Sequence, residues 1–129
     1  MPTWVLVADN SRARFFMAEK PASPLAEVQD LAYPEARLHE GHGAHGFGND
    51  GTAKQEGADR FALMVCNELE AARNSGSFRK LYVVAAPAFL GMLRKHQSPA
   101  LKQLVAGEVD KNLATQDPST IRKHLPDYL

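Results

Sequence analysis

The sequence is short of three features that would each point to a particular class of protein. It holds a single cysteine, Cys66, so an internal disulfide is impossible and nothing indicates a secreted, disulfide-stabilised protein. No apolar run approaches the ~20 residues that a membrane-spanning helix needs. Lysine plus arginine and aspartate plus glutamate each number 15, so no overall charge attracts nucleic acid or an anionic membrane.

The composition that remains is typical of one folded domain. Hydrophobic residues make up 44% and charged residues 23% of the 129 residues, close to ordinary globular usage and enough for one core. The first nine residues lack the basic leader and long apolar stretch of a signal peptide. We therefore expect a soluble, cytoplasmic protein with no membrane partner.

Five segments have the patterns of β-strands. Residues 4–8 and 81–86 are continuous apolar runs, which is typical of strands buried on both faces. A short turn at Asp9 separates residues 4–8 from residues 13–19, so these two strands should form an antiparallel hairpin. We interpret residues 25–33 as an edge strand and residues 105–113 as the last strand.

The clearest helical pattern covers residues 58–74, where apolar residues recur on one face. Cys66 belongs to that face, which favours a small buried hydrophobe over a nucleophile. Residues 87–96 form a second predicted helix. Ser98 and Asp117, each followed by proline, have the pattern of N-caps for two further short helices, the last of which should end before Pro126.

These elements predict a ribonuclease-H-like α/β domain with one mixed sheet. The later strands alternate with helices and should therefore be parallel. A right-handed crossover places the fourth strand beside the first, which gives the strand order 3-2-1-4-5 with helices on both faces. The two most apolar strands then lie at the centre, as burial requires.

Residues 41–57 differ from the rest because they hold six of the nine glycines. Such a stretch orders poorly, since glycine loses the most entropy on folding, and we predict a flexible loop at about residues 40–57. The two histidines of this stretch and the one just before it are spaced by three residues and could bind zinc. A solvated loop without metal is the simpler interpretation. The candidate metal ligands are His39, His42 and His45.

A metal-dependent nuclease is a second hypothesis. Asp9 ends the first strand, where ribonuclease-H-type nucleases place a metal-binding carboxylate, and Glu68 lies on the long helix. Two-metal catalysis needs several converging carboxylates, and this sequence offers two at most. Asp9 is equally suited to begin the hairpin turn. No cofactor-binding motif is present, so no cofactor is expected.

Basic side chains provide a third set of candidates, for contacts with a nucleic-acid backbone. Arg12 and Arg14 alternate in the second strand, and a basic cluster ends the second helix and includes Lys102. A further group, Arg73, Arg79 and Lys80, flanks the turn before the fourth strand. A solvated rim explains the same residues equally simply. The candidate binding residues, including those of the glycine-rich loop, are Arg12, Arg14, His42, His45, Asn49, Arg94, Lys95 and Lys111.

Four motifs, in order, resemble a bacterial family known as host attachment protein, or protein required for attachment to host cells. They are Val-Leu-Val-Ala-Asp-Asn-Ser-Arg-Ala-Arg-Phe at 5–15, the Gly/His stretch before Phe61, the pair Ala-Ala-Pro-Ala-Phe-Leu-Gly-Met-Leu-Arg at 85–94 and Ser-Pro-Ala-Leu at 98–101, and Gly-Glu-Val-Asp-Lys-Asn-Leu at 107–113. The resemblance covers nearly the whole chain. It implies a single domain, and the family name implies a role in attachment.

That family is similar in fold to the middle domain of archaeal and eukaryotic class-1 release factors, whose corresponding loop carries a Gly-Gly-Gln tripeptide. Here Gln55 follows Lys54, so the resemblance does not imply termination chemistry. It implies contact with the ribosome or RNA. Our first hypothesis is thus a non-catalytic module that binds ribosome, RNA or a protein through the Gly/His loop and the adjacent basic residues. A phosphodiester-cleaving enzyme and an attachment factor are the alternatives.

Overall fold

A five-stranded mixed sheet organises the protein. The computed structural model describes residues 2–19, 24–32 and 50–125, with the backbone alone for residues 50–56. The strands run in the order β3-β2-β1-β4-β5, which confirms the predicted order. They are β1 (Thr3–Ala8), β2 (Arg12–Ala18), β3 (Ala26–Ala32), β4 (Lys80–Ala85) and β5 (Val105–Val109).

Strand direction divides the sheet into two parts. β2 pairs antiparallel with both β1 and β3, while β1, β4 and β5 are parallel. In the register, Ala8 lies opposite Ala13 of β2 and opposite Ala85 of β4. We call the edge where β1, β4 and β5 end the carboxyl edge, and the edge where they begin the amino edge.

Four described helices pack on this sheet, and their ends follow from local chemistry. Ser98 Oγ accepts a hydrogen bond from the Leu101 N–H, and Asp117 Oδ1 accepts one from the Thr120 N–H, so both predicted N-caps are confirmed. Gly76, at φ 72°, follows the end of the longest helix, a conformation that glycine adopts without strain. The helices are α1 (Asp50–Asn74), α2 (Pro87–His96), α3 (Pro99–Leu104) and α4 (Pro118–Lys123).

Alternation along the central strands builds two separate cores, one on each face of the sheet. Leu6 and Val83 point to the face covered by α1, α2 and α3, where they pack with Phe61 and Leu93. The other face is covered by the chain after β5, including α4. Its core consists of Val5, Val7, Phe16, Ala18, Leu25, Tyr82, Val84, Leu113, Ala114, Ile121 and Leu125. Helices therefore cover both faces, as predicted.

Two boundaries differ from the prediction. α1 begins at Asp50, eight residues before the predicted start, so the predicted loop cannot extend to residue 57 and Gln55 falls in a helix. Apolar periodicity begins only at Ala58, which explains the late prediction. β5 ends at Val109, not at Leu113, because Leu113 turns to pack into the second core.

Candidate functional site

The carboxyl edge gathers several predicted site residues. The turn after β1 lies there, and β3 also ends there, because Ala32 lies opposite Arg12 in the register. The last residues of α1 precede β4, which starts at the amino edge. The first residue of α1, Asp50, therefore lies toward the opposite, carboxyl-edge end of the domain. Residues 33–49 therefore join two points at one end of the sheet. His39, His42, His45 and Asn49 lie in that segment, outside the described residues.

Asp9 holds the turn between β1 and β2. Its Oδ1 accepts hydrogen bonds from the backbone N–H of Ser11 at 2.9 Å and of Arg12 at 2.8 Å. Its own N–H donates to the Arg12 carbonyl at 2.8 Å. Glu68, the second candidate acid, accepts a hydrogen bond from Gln29 Nε2 at 3.1 Å. Each carboxylate thus supports a local structure of its own.

The described residues contain no group of three or more histidine, cysteine, aspartate or glutamate side chains that could hold a metal ion. Asp9 and Glu68 are therefore not joined by a third ligand within residues 2–19, 24–32 and 50–125. The geometry gives no support to the predicted phosphodiesterase, which needs several converging carboxylates.

Arg12 and Arg14 lie on the same face of β2 but in different surroundings. Arg12 is exposed and forms a two-point ion pair with Asp30, with Nη2 to Oδ2 at 2.9 Å and Nε to Oδ1 at 3.3 Å. The pKa of Arg12 is raised, first by this hydrogen bond and further by the charges of Asp30, Glu27 and Asp9. Three carboxylates therefore lie around Arg12 and offset its charge, which disfavours an anionic ligand.

Arg14 is buried, with 8% of its surface exposed, although we predicted it as a binding residue. Its guanidinium pairs with Glu27 at 3.0 Å and lies 4.9 Å from the centre of the Phe16 ring. Its Nη1 also donates to the carbonyls of Ala114 and Gln116, at 3.1 Å and 2.6 Å. Burial and these hydrogen bonds support a structural role for Arg14.

The cations at the end of α2 are also paired. Arg94 Nε donates to Glu108 of β5 at 3.1 Å, and Lys95 Nζ donates to Asp59 of α1 at 3.3 Å. His96 Nε2 lies 2.9 Å from the same Asp59 oxygen. Asp59 consequently has a lowered pKa, mainly through the hydrogen bond with His96 and then through that with Lys95. These contacts tie α2 to its neighbours.

Glu70, near the end of α1, has two partners that sequence reasoning missed. Ser98 Oγ donates to Glu70 Oε1 at 2.7 Å, and Arg73 donates to the same carboxylate at 3.3 Å. Both lower the pKa of Glu70, the serine more than the arginine. The N-cap motif at Ser98 was visible in the sequence, but a partner 28 residues away had no sequence signal.

Cys66 is inert in this structure. It is 1% exposed, and its Sγ lies 3.5 Å from the Leu93 carbonyl oxygen, which accepts the thiol hydrogen. Desolvation, with a smaller contribution from the charge of Glu70, raises the pKa of the thiol to about 12. A thiolate nucleophile is therefore absent at neutral pH.

Lys111, just beyond β5, is a predicted binding residue that no described carboxylate holds. It is exposed at the carboxyl edge and forms no ion pair with the part of the chain that the structure describes. Of the predicted cations, the structure brings Arg12 and Lys111 to this edge. It places Arg94 and Lys95 in the last turn of α2, against β5 and α1.

The sequence of this chain matches a known protein family. The family model described as "Protein required for attachment to host cells" matches residues 4–125. The chain belongs to this host-attachment family. The match spans every described strand and helix except the first residue of β1, which confirms the resemblance seen in the sequence. No curated protein sequence matches the chain.

Solved structures share the fold of this family member. An archaeal translation termination factor superposes with a TM-score of 0.51 at 16% identity, over 83% of this chain and 29% of that one. A structure described as an archaeal protein gives 0.53 at 14% identity, over 95% and 36%. The chain thus spans about a third of the length of these structures, and the likeness concerns the fold alone. Within its described residues, no helix is long and apolar enough to cross a membrane.

Proposed function

We propose that this host-attachment family member is a cytoplasmic, non-catalytic module that binds the ribosome or its RNA through residues 33–49 at the carboxyl edge. One observation carries the proposal. β3 ends and α1 begins at the same end of the sheet, so both described ends of the connection lie at the edge that carries the Asp9 turn and Lys111. Long connections inside compact domains are usually functional or disordered.

The neighbouring residues support binding better than catalysis. Asp9 is occupied by backbone N–H groups, and the Cys66 thiol is buried and protonated. Arg12 is held by Asp30, so among the described residues of this edge Lys111 is the cation available to a phosphate. The segment itself, more than the basic side chains around it, must then supply the contacts that select a partner.

The ribosome is our choice of partner because of the fold. A solved structure of similar fold is described as an archaeal translation termination factor, and translation takes place on the ribosome. Fold similarity says little about function by itself, so the partner has to be tested directly.

The test uses a variant lacking residues 41–49, with the deletion ending before Asp50 so that α1 stays complete. Wild type and variant are compared for co-sedimentation with purified ribosomes and for thermal unfolding. The proposal predicts an unfolding midpoint close to that of the wild type and loss of co-sedimentation. A stably folded variant that still sediments with ribosomes as well as the wild type would overturn it.

A further inference from the structure

On one side of the molecule, three cations have no ion-pair partner among the described residues. Arg12, Arg94 and Lys95 each pair with a carboxylate. By contrast, Arg79, Lys80 and Lys102 form no ion pair with any residue that the structure describes. Arg79 and Lys102 are exposed, and Lys80 is partly exposed. No carboxylate of the described residues therefore offsets the charge of these three side chains.

The topology brings the three cations to the amino edge. Lys80 is the first residue of β4 and lies opposite Thr3, and the N–H of Arg79 donates to the carbonyl of Pro2. Lys102 lies in α3, which leads directly into β5, and β5 begins opposite Leu81. Lys102 precedes the first residue of β5 by less than one helical turn, a rise of about 5 Å, so it lies close to the amino edge.

Arg73 joins this group from the end of α1. The hydrogen bond between Ser98 and Glu70 draws the start of α3 against the last turns of α1, where Arg73 lies. Among the described residues, the carboxylates near this edge are Glu70, already occupied by Ser98 and Arg73, and Glu19, which follows β2. Within the part of the chain that the structure describes, positive charge therefore exceeds negative charge at the amino edge, whereas carboxylates surround Arg12.

We propose that Arg73, Arg79, Lys80 and Lys102, which we call the amino-edge surface, bind the sugar-phosphate backbone of RNA. Clustered lysine and arginine side chains bind phosphates and carry no sequence information, so the contact is independent of RNA sequence. The inference rests on the proposed function only for the class of partner. It adds a second contact surface at the opposite end of the sheet from residues 33–49.

RNA fits this surface better than a lipid membrane does. Peripheral membrane binding combines basic residues with apolar side chains that enter the bilayer. Among the described residues, the exposed large hydrophobic side chains are Val28 and Leu63. Val28 lies within β3 and Leu63 in the middle of α1, so neither adds an apolar anchor to the cluster at the amino edge.

The test compares two triple variants that remove the same charge. The amino-edge variant carries Arg79→Gln, Lys80→Gln and Lys102→Gln, and the control carries Arg12→Gln, Arg94→Gln and Lys95→Gln, three cations that are each held by a carboxylate. Binding of the full chain to a fluorescent single-stranded oligouridine of about 20 nucleotides is followed by anisotropy between about 50 and 300 mM salt. Circular dichroism and thermal unfolding establish that both variants are folded.

We expect the amino-edge variant to reduce the slope of log affinity against log salt by about 2, because each phosphate contact on a single strand contributes about 0.7. Its affinity at about 0.1 M salt should fall about 100-fold, while the control loses less than about 3-fold. Equal losses in both variants, or no loss in the amino-edge variant, would overturn the inference. The inference would also be overturned if the amino-edge variant lost binding to phosphatidylserine vesicles while it bound RNA as well as the wild type.

The same proteins separate this inference from the proposed function. The variant lacking residues 41–49 should keep the wild-type salt slope on oligouridine while losing co-sedimentation with ribosomes. If the deletion leaves co-sedimentation intact and the amino-edge variant abolishes it, the role of residues 33–49 is wrong and the amino-edge surface stands. If oligouridine binding is unaffected by the amino-edge variant, only the inference fails.

Discussion

Arg14 in β2 donates a hydrogen bond from Nη1 to the carbonyl of Gln116, 102 residues later in the chain, at 2.6 Å. The same nitrogen donates to the Ala114 carbonyl, and Nη2 donates to Glu27 of β3. One buried guanidinium thus joins the edge strand, the hairpin and the segment that covers the second core. The neighbouring Arg12 makes a similar ion pair in solvent, which provides a natural comparison.

Replacing Arg14 with leucine should destabilise the protein by about 2–4 kcal/mol, because a buried hydrogen bond to Ala114 and part-buried ones to Gln116 and Glu27 are lost. Arg12→Leu should change the free energy of unfolding by less than about 1 kcal/mol, since exposed ion pairs contribute little. Urea unfolding measures both values. Equal destabilisation by the two substitutions would contradict the structural role of Arg14.

Two glycines should respond in opposite directions to alanine. A Cβ at Gly107 of β5 would lie 2.9 Å from Cε1 of Tyr82, whose ring packs across this position, so Gly107→Ala should cost about 1–3 kcal/mol. A Cβ at Gly91 of α2 would meet nothing within 4 Å, so Gly91→Ala should stabilise the protein by about 0.5–1 kcal/mol. Thermal unfolding of both variants measures these effects. A Gly107→Ala variant as stable as the wild type would argue against the close packing of the Tyr82 ring on Gly107.

Asp59 predicts a pH dependence in the acid range. Its folded-state pKa is lowered from 3.8 by hydrogen bonds with His96 and then Lys95. Because the folded pKa is depressed, the stabilisation is complete above 3.8 and is lost as the pH falls through the lower, folded value. The difference in urea midpoint between wild type and Asp59→Asn should therefore shrink as the pH falls below 3.8. A difference that stays constant down to pH ~2 would be inconsistent with this contact.

Cys66 should resist thiol reagents until the protein unfolds. Its burial beside Leu93 and its raised pKa of about 12 leave almost no thiolate in the native state at neutral pH. The rate of modification by a disulfide reagent should rise in parallel with the unfolded fraction across a urea series. Rapid labelling without urea would show that α1 and α2 separate in the native state.

The fold was largely predictable because its central strands are unusually apolar. Val5 to Ala8 and Leu81 to Ala85 are all buried, and once they are adjacent a right-handed crossover fixes the remaining order. The start of α1 was not predictable from apolar periodicity, since Asp50 to Gly57 contain little apolar surface and two glycines. Helix content there goes against the local propensity of glycine.

The candidate site was less predictable than the fold because pairing of charges depends on tertiary contacts. The sequence shows that Arg12, Arg94 and Lys95 are basic, but their partners Asp30, Glu108 and Asp59 lie 18, 14 and 36 residues away. Neither periodicity nor a motif signals those contacts. For the same reason, the sequence does not distinguish Arg79, Lys80 and Lys102, which pair with no described carboxylate, from the cations that do.

Hydrogen–deuterium exchange with and without purified ribosomes tests the central claim most directly. If the carboxyl edge presents the binding segment, ribosomes at low salt should slow exchange in residues 8–12 and 109–112, around the Asp9 turn and Lys111. Exchange in α4, on the other face of the sheet, should stay unchanged. Ribosome binding with no change in either of those two segments would contradict the account.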